Sequence, residues 1–221
     1  MVDKGVIVEF DFTALDGSSL LYETAKGFLN ALDGIPFDIS AEAKYFAGEN
    51  CLDGFTKFFA SVKTKKTAAK ATRDFTAAYQ KALVKAIPGA VTAAFRNFVS
   101  MLTDKGVRVV IATAADLERV RPAFEGILSD QVMLYCEEAP RYGTVRRDSW
   151  RRICAASKMP YGSTTVVTGS GLGVKAALYA GMGSMAVVSD HVAYQDFGGA
   201  SEVVTELSGK TAKKLLSILR L

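Results

Sequence analysis

The stretch Val6-Ile7-Val8-Glu9-Phe10-Asp11-Phe12-Thr13-Ala14-Leu15-Asp16 is a short β-branched apolar run that breaks into a loop with carboxylates at alternate positions, Glu9 and Asp11, and a further acid at Asp16. A run this uniformly apolar has no polar face, so it reads as a strand covered on both sides, the habit of parallel sheets flanked by helices. Carboxylates at the carboxyl end of such a strand stand where an open α/β sheet builds its ligand crevice.

The same pattern recurs outward from this stretch, at Val107 to Ile111, Val132 to Tyr135, Thr165 to Val167 and Met185 to Val188. Helical patterns separate these runs. Ala90 to Leu102 places Val91, Phe95, Phe98 and Leu102 on one face, begins after Ile87-Pro88-Gly89 and stops at Asp104-Lys105-Gly106. Further helices are expected near Ala115 to Leu128, Asp148 to Ser157, Gly171 to Ala180 and Thr211 to Leu219. This alternation predicts an α/β fold, an open doubly wound parallel sheet. The interval from Ser18 to Lys85 breaks it, with helical patterns at Leu20, Leu21, Thr24, Phe28 and Leu32, at Phe55, Phe58, Phe59 and Val62, and at Phe75, Tyr79 and Leu83. A helical cap domain over 18–85 is therefore expected, inserted into an α/β core domain formed by 1–17 and 86–221.

The 221 residues are 49% hydrophobic and 23% charged, as in an ordinary globular protein. No apolar run reaches the roughly 18 residues that a membrane span needs, and Met1-Val2-Asp3-Lys4 leads into the first strand without a signal pattern. A soluble intracellular protein is expected. Cys51, Cys136 and Cys154 match neither a metal knuckle nor a redox pair, which suits buried thiols in a reducing compartment.

A net charge of +4 is too small to argue for nucleic acid, and no aromatic-interleaved groove accompanies it. Its distribution is uneven. Between Phe55 and Ile87, Lys57, Lys63, Lys65, Lys66, Lys70, Arg73, Lys81 and Lys85 face the single acid Asp74. These are solvated helix faces or, with Lys63, Lys65, Lys66, Lys70 and Arg73 as the candidates, a docking surface for a protein partner with an acidic surface. A second cluster comprises Arg141, Arg146, Arg147, Arg151 and Arg152.

The opening stretch resembles the first motif of the haloacid dehalogenase superfamily, Asp-x-Asp-Gly-Thr/Val-Leu-x-Asp. The resemblance covers nearly the whole chain and is nearest to the β-phosphoglucomutase-like group, which includes sugar-phosphate phosphatases of bacteria and plastids. A helical cap after the first motif and a Pro-Gly that starts the helix before the second motif, as at Pro88-Gly89, belong to that pattern. So do the ungapped segment Trp150 to Met182 and the ending at Ser189-Asp190 and Gln195-Asp196-Phe197. The resemblance implies an Asp nucleophile, a second Asp as acid/base, a Ser or Thr and a Lys for phosphate, and downstream acids completing a Mg²⁺ site. It also makes a plastid stroma an expected compartment beside the cytoplasm.

Against that pattern the nucleophile position holds Glu9, one methylene too long, a misplacement that can cost on the order of 10²-fold in rate. Asp11 matches the acid/base, Thr13 the following Thr/Val and Thr113 the phosphate-binding hydroxyl; Thr113 could equally cap the helix after it. Phe12 replaces a Gly chosen for backbone freedom. The Lys falls on Thr144, with Arg146 and Arg147 as candidate phosphate-binding substitutes. Where the family has Glu-Asp-Ser-x-x-Gly, Thr168-Gly169-Ser170-Gly171-Leu172-Gly173 lacks both acids, leaving Glu9 and Asp11 as vestigial metal ligands. The Gly-rich run matches no nucleotide fingerprint and reads as a structural turn. His191, the single histidine, has no triad partner and reads as a surface or loop residue, and Trp150 reads as core.

These departures lead to the expectation of a catalytically impaired protein, without cofactor, acting as a structural or interaction subunit of a larger assembly. The alternative is a Mg²⁺-dependent phosphatase or phosphomutase on a small phosphosugar. A third reading is a non-catalytic sensor of a phosphorylated metabolite, using Thr113 and the arginines.

Overall fold

The opening apolar run forms β1 (Gly5–Glu9), with β2 (Arg108–Thr113) on one side and β4 (Thr164–Thr168) on the other. Val8 lies opposite Ile111 in one neighbour and Val167 in the other. With β3 (Val132–Cys136), β5 (Gly183–Val187) and β6 (Glu202–Val204) they make a six-stranded sheet of order β3-β2-β1-β4-β5-β6, parallel throughout. The structure, a computed structural model, describes residues 4–47, 49–136 and 147–221. Arg141, Thr144 and Arg146 lie outside the described residues, as does the side chain of Arg147.

Alternate residues of each strand feed opposite faces. Val6, Val8, Val109, Ile111 and Val167 join a core with α6 (Ala93–Thr103), α7 (Leu117–Phe124) and α10 (Gly209–Ile218). Ile7, Val110, Ala112 and Val166 join a second core with α8 (Arg147–Ala156) and α9 (Gly171–Ala180), in which Trp150 is buried as expected. The result is a three-layer α/β architecture.

A single turn, α1 (Phe10–Thr13), follows β1 and leads into the helices inserted between β1 and β2. These are α2 (Gly17–Asp33), α3 (Ile39–Tyr45), α4 (Cys51–Ser61) and α5 (Ala68–Ala90). Asp16, Asp38 and Asn50 start α2, α3 and α4 by accepting from the amides of Ser19, Ala41 and Asp53. Phenylalanine rings bind the helices together, Phe46 on Phe55 at 5.1 Å, Phe55 on Phe75 at 5.6 Å and Phe37 on Phe58 at 5.6 Å between centroids. This cluster continues into the α6 face of the sheet.

Several boundaries differ from the sequence reading. Pro88 and Gly89 do not open the helix that follows them but lie in the last turn of α5. The next helix starts at Ala93, because the Thr92 hydroxyl accepts from the Phe95 amide at 3.2 Å. Helix α7 is shorter than expected, opening after Asp116, whose carboxylate accepts from the Glu118 amide. Strand β6 was not expected: it is three residues long, with Val203 53% exposed, and carries no apolar run. Among the described residues, no helix is long and apolar enough to cross a membrane.

Candidate functional site

The carboxyl ends of β1, β2 and β4 converge at the point where strand order reverses about β1, the crevice position of an open α/β sheet. Glu9 ends β1, and parallel register sets it beside Thr168 at the end of β4. The Glu9 carboxylate accepts from the Thr168 hydroxyl and, at 3.4 Å, from the Gly169 amide. The Glu9 carbonyl accepts from the Thr13 hydroxyl at 2.8 Å, which ties α1 back onto β1.

Asp11 projects from α1 toward the end of β2. One carboxylate oxygen accepts from the Thr113 hydroxyl at 2.7 Å and the other from the Ala114 amide at 2.7 Å. Burial raises its pKa from 3.8 to about 6, against the lowering effect of those two donors. Thr113 is not the cap of α7, a place taken by Asp116, although its hydroxyl accepts from the Ala115 amide at 3.1 Å.

The insertion reaches this loop through α5. Gln80 donates to the Ala114 carbonyl at 2.6 Å, so one residue, Ala114, joins the insertion through its carbonyl and Asp11 through its amide. Tyr79 is stacked on Phe75 at 6.2 Å with planes 8° apart. Its hydroxyl is buried and has no hydrogen-bond partner among the described residues, a condition worth about 1–3 kcal/mol against the fold. Burial, and after it the charges of Asp11, Glu9 and Cys51, push the phenol well above its usual range.

Close backbone contacts fix the other wall. A Cβ on Gly169 would lie 1.8 Å from the Phe12 carbonyl oxygen, so only glycine lets the β4 loop approach α1. Phe12 itself has helical backbone within α1, and the freedom of a glycine is not needed there. Ser170 caps α9 by accepting from the Gly173 amide at 3.0 Å, the Gly171 amide donates to Gln195 at 2.9 Å, and the Gly173 carbonyl accepts from Trp150 at 3.1 Å. The Gly-rich run is thus a structural turn whose polar groups are engaged within the protein.

Of the residues singled out in the sequence, Asp11 and Thr113 are joined directly, while the Glu9 carboxylate meets Thr168 and Gly169. Arg146 and the Arg147 side chain fall outside the described residues and are not placed at the site. Lys63, Lys65, Lys66, Lys70 and Arg73 are exposed along the α4–α5 turn and the start of α5, with Lys70 paired to Asp74. At a rise of about 1.5 Å per residue, Lys70 is roughly 13 Å from Tyr79 along the helix. His191, read as a surface or loop residue, does lie in a loop, but its side chain is not at the surface. It sits in the turn Asp190–Val192 with its side chain 12% exposed, its Nε2 2.8 Å from the Glu42 carboxylate of α3 and its ring 5.1 Å from that of Tyr22.

Tyr79, Gln80 and Thr168 were not anticipated at the site. Tyr79 shares the spacing of Phe75 and Leu83 and reads as core, and Thr168 reads as a lost acid. Among the described residues no three His, Cys, Asp or Glu side chains are grouped to hold a metal ion.

No protein-family model and no curated protein matches this sequence. Solved structures do. CbbY from Rhodobacter sphaeroides in complex with xylulose-(1,5)bisphosphate is 14% identical at a TM-score of 0.71, covering 95% of this chain and 96% of that one. β-Phosphoglucomutase from Clostridium difficile is 11% identical at a TM-score of 0.71, over 100% and 98%. A HAD hydrolase of family IA, variant 3, from Entamoeba histolytica is 14% identical at a TM-score of 0.70, over 100% of both chains. The chain shares the fold of these structures.

Proposed function

We propose that this chain is a catalytically impaired protein on a phosphatase and phosphomutase scaffold, acting as an interaction or structural subunit within a larger assembly. The observation that carries the reading is the closure of Glu9 onto Thr168 and Gly169. In the family the sequence resembles, acids at those positions help hold Mg²⁺ beside the nucleophile; here a hydroxyl and an amide take up the carboxylate itself. Asp11 is committed in the same way, its two oxygens accepting from Thr113 and Ala114. The resemblance makes the Thr113 hydroxyl a phosphate-binding group, and here it donates to Asp11 instead.

This donor set does not fit Mg²⁺, which requires several oxygen ligands in near-octahedral geometry. Both carboxylates already accept hydrogen bonds from the protein. The exposed cations of the α4–α5 turn and α5 complement an acidic protein surface.

One observation favours the alternative of a phosphosugar phosphatase or mutase. Asp11, raised to about 6, is suited to carry a proton near neutral pH, as an acid/base must. Turnover separates the two readings. Purified chain with millimolar Mg²⁺ and a chromogenic phosphomonoester is expected to show no hydrolysis above buffer, and a turnover abolished by Glu9→Gln would reject the impaired reading.

A further inference from the structure

Helix α9 is apolar on every side. From Gly171 to Ala180 its only charged residue is Lys175, and a helix of that composition is normally enclosed. Val174, Ala176, Ala177 and Ala180 are buried, while Leu172, Leu178 and Tyr179 point outward, Leu178 49% and Tyr179 74% exposed. The sheet beside it is bare on the same face. Val203 of β6 stands in register with Ala186, which points away from the core that holds Met185 and Val187, so Val203 lies on the face of α8 and α9. Those helices stop short of the edge strand and leave Val203 half exposed, whereas on the opposite face Val204 packs into the core with α10. Leu178 links helix and edge. It lies so close to the segment before β6 that a Cβ on Gly199 would meet its Cδ1 at 2.3 Å.

We propose that this face, α9 with the uncovered side of β6, is where a second copy of the chain docks about a twofold axis. An uncovered apolar face of this kind marks an interface, and its charge selects the occupant. Lys175 pairs with Asp196 at 3.1 Å, and the two side chains are still 45% and 69% exposed. A patch with one cation and one anion is complementary to itself, because a twofold axis sets each copy's anion against the other's cation. An acidic protein, drawn to the cations of the insertion, finds no net charge here. Association buries Leu172, Leu178, Tyr179 and Val203 of both chains, an apolar centre with an aromatic in it and the ion pairs at its rim. The interface is independent of whether the cleft turns over.

Sedimentation equilibrium of the full chain at tens of micromolar is expected to give twice the monomer mass. Tyr179→Glu and Val203→Lys each replace an exposed side chain, so their melting temperatures should match that of the wild-type monomer. Each is expected to raise the dimer dissociation constant roughly tenfold or more. Charge exchange identifies the occupant. Lys175→Asp and Asp196→Lys, each alone, set like charges across the axis and are expected to dimerise more weakly than wild type; mixed in equal amounts, they are expected to recover a dimer holding one of each. A monomeric wild type, a dimer indifferent to Tyr179→Glu and Val203→Lys, or charge variants that mixing does not restore would each overturn the proposal.

Discussion

Asp11 concentrates the electrostatics of the cleft. Burial holds its pKa at about 6, above the 3.8 of an exposed aspartate, so the folded state binds the proton more tightly than the unfolded chain. The stability this confers is complete below pH about 4 and is lost as pH rises through about 6, a difference on the order of 3 kcal/mol. Asp11→Asn is expected to lose this dependence, flattening the change in unfolding free energy that wild type shows between pH about 4 and 7; urea unfolding at both ends measures it, and parallel curves would deny the shift. Thr168→Val keeps the shape but takes the hydroxyl from a half-buried carboxylate, and is expected to lose about 1.5–3 kcal/mol in the same assay. The sequence made Glu9, Asp11 and Thr113 legible because each stands at or just beyond the end of an apolar run. Thr168 was not, since a hydroxyl in place of an acid reads as a deletion until its partner across the sheet is seen.

Loops and helices divide in a similar way. The strands at β1 to β5 were readable from their apolar runs, while β6 owes its place to pairing with β5, because its own residues are half exposed. Helix starts followed side-chain caps such as Thr92 and Asp116 rather than the Pro-Gly signal, since an accepting side chain fixes the first turn and a proline near a helix end removes a single bond. Tyr79 and Gln80 were hidden because docking of α5, a tertiary event, brings them to the site. Gly169→Ala pits a methyl group against the Phe12 carbonyl and is expected to cost about 3 kcal/mol or more, seen as a lowered melting temperature or loss of soluble protein. His191→Gln weakens the tie between α3 and the β5–β6 connection. Hydrogen exchange measured by mass spectrometry is expected to accelerate in α3 and leave the central strands unchanged; uniform protection would mean that the tie bears no load.

Over the whole molecule, the positive charge gathers on the insertion, away from the cleft. Reversing Lys63, Lys65, Lys66 and Lys70 to glutamate is expected to weaken association with an acidic protein partner and leave the melting temperature within a few degrees, because these side chains are exposed. Co-purification at low salt reads the association, and added salt should weaken it in wild type as charges more than about 8 Å apart are screened. Unchanged recovery of partners would remove this surface from consideration. The topology also constrains how the chain is assembled. The first strand to be synthesised occupies the middle of the finished sheet, and Val8 finds its companions Ile111 and Val167 after the whole helical insertion has been made. Sheet closure is therefore a late, long-range event in the life of the nascent polypeptide, and until then Val6-Ile7-Val8 is a sticky, unsheltered segment whose fate falls to whatever holds it apart from other chains.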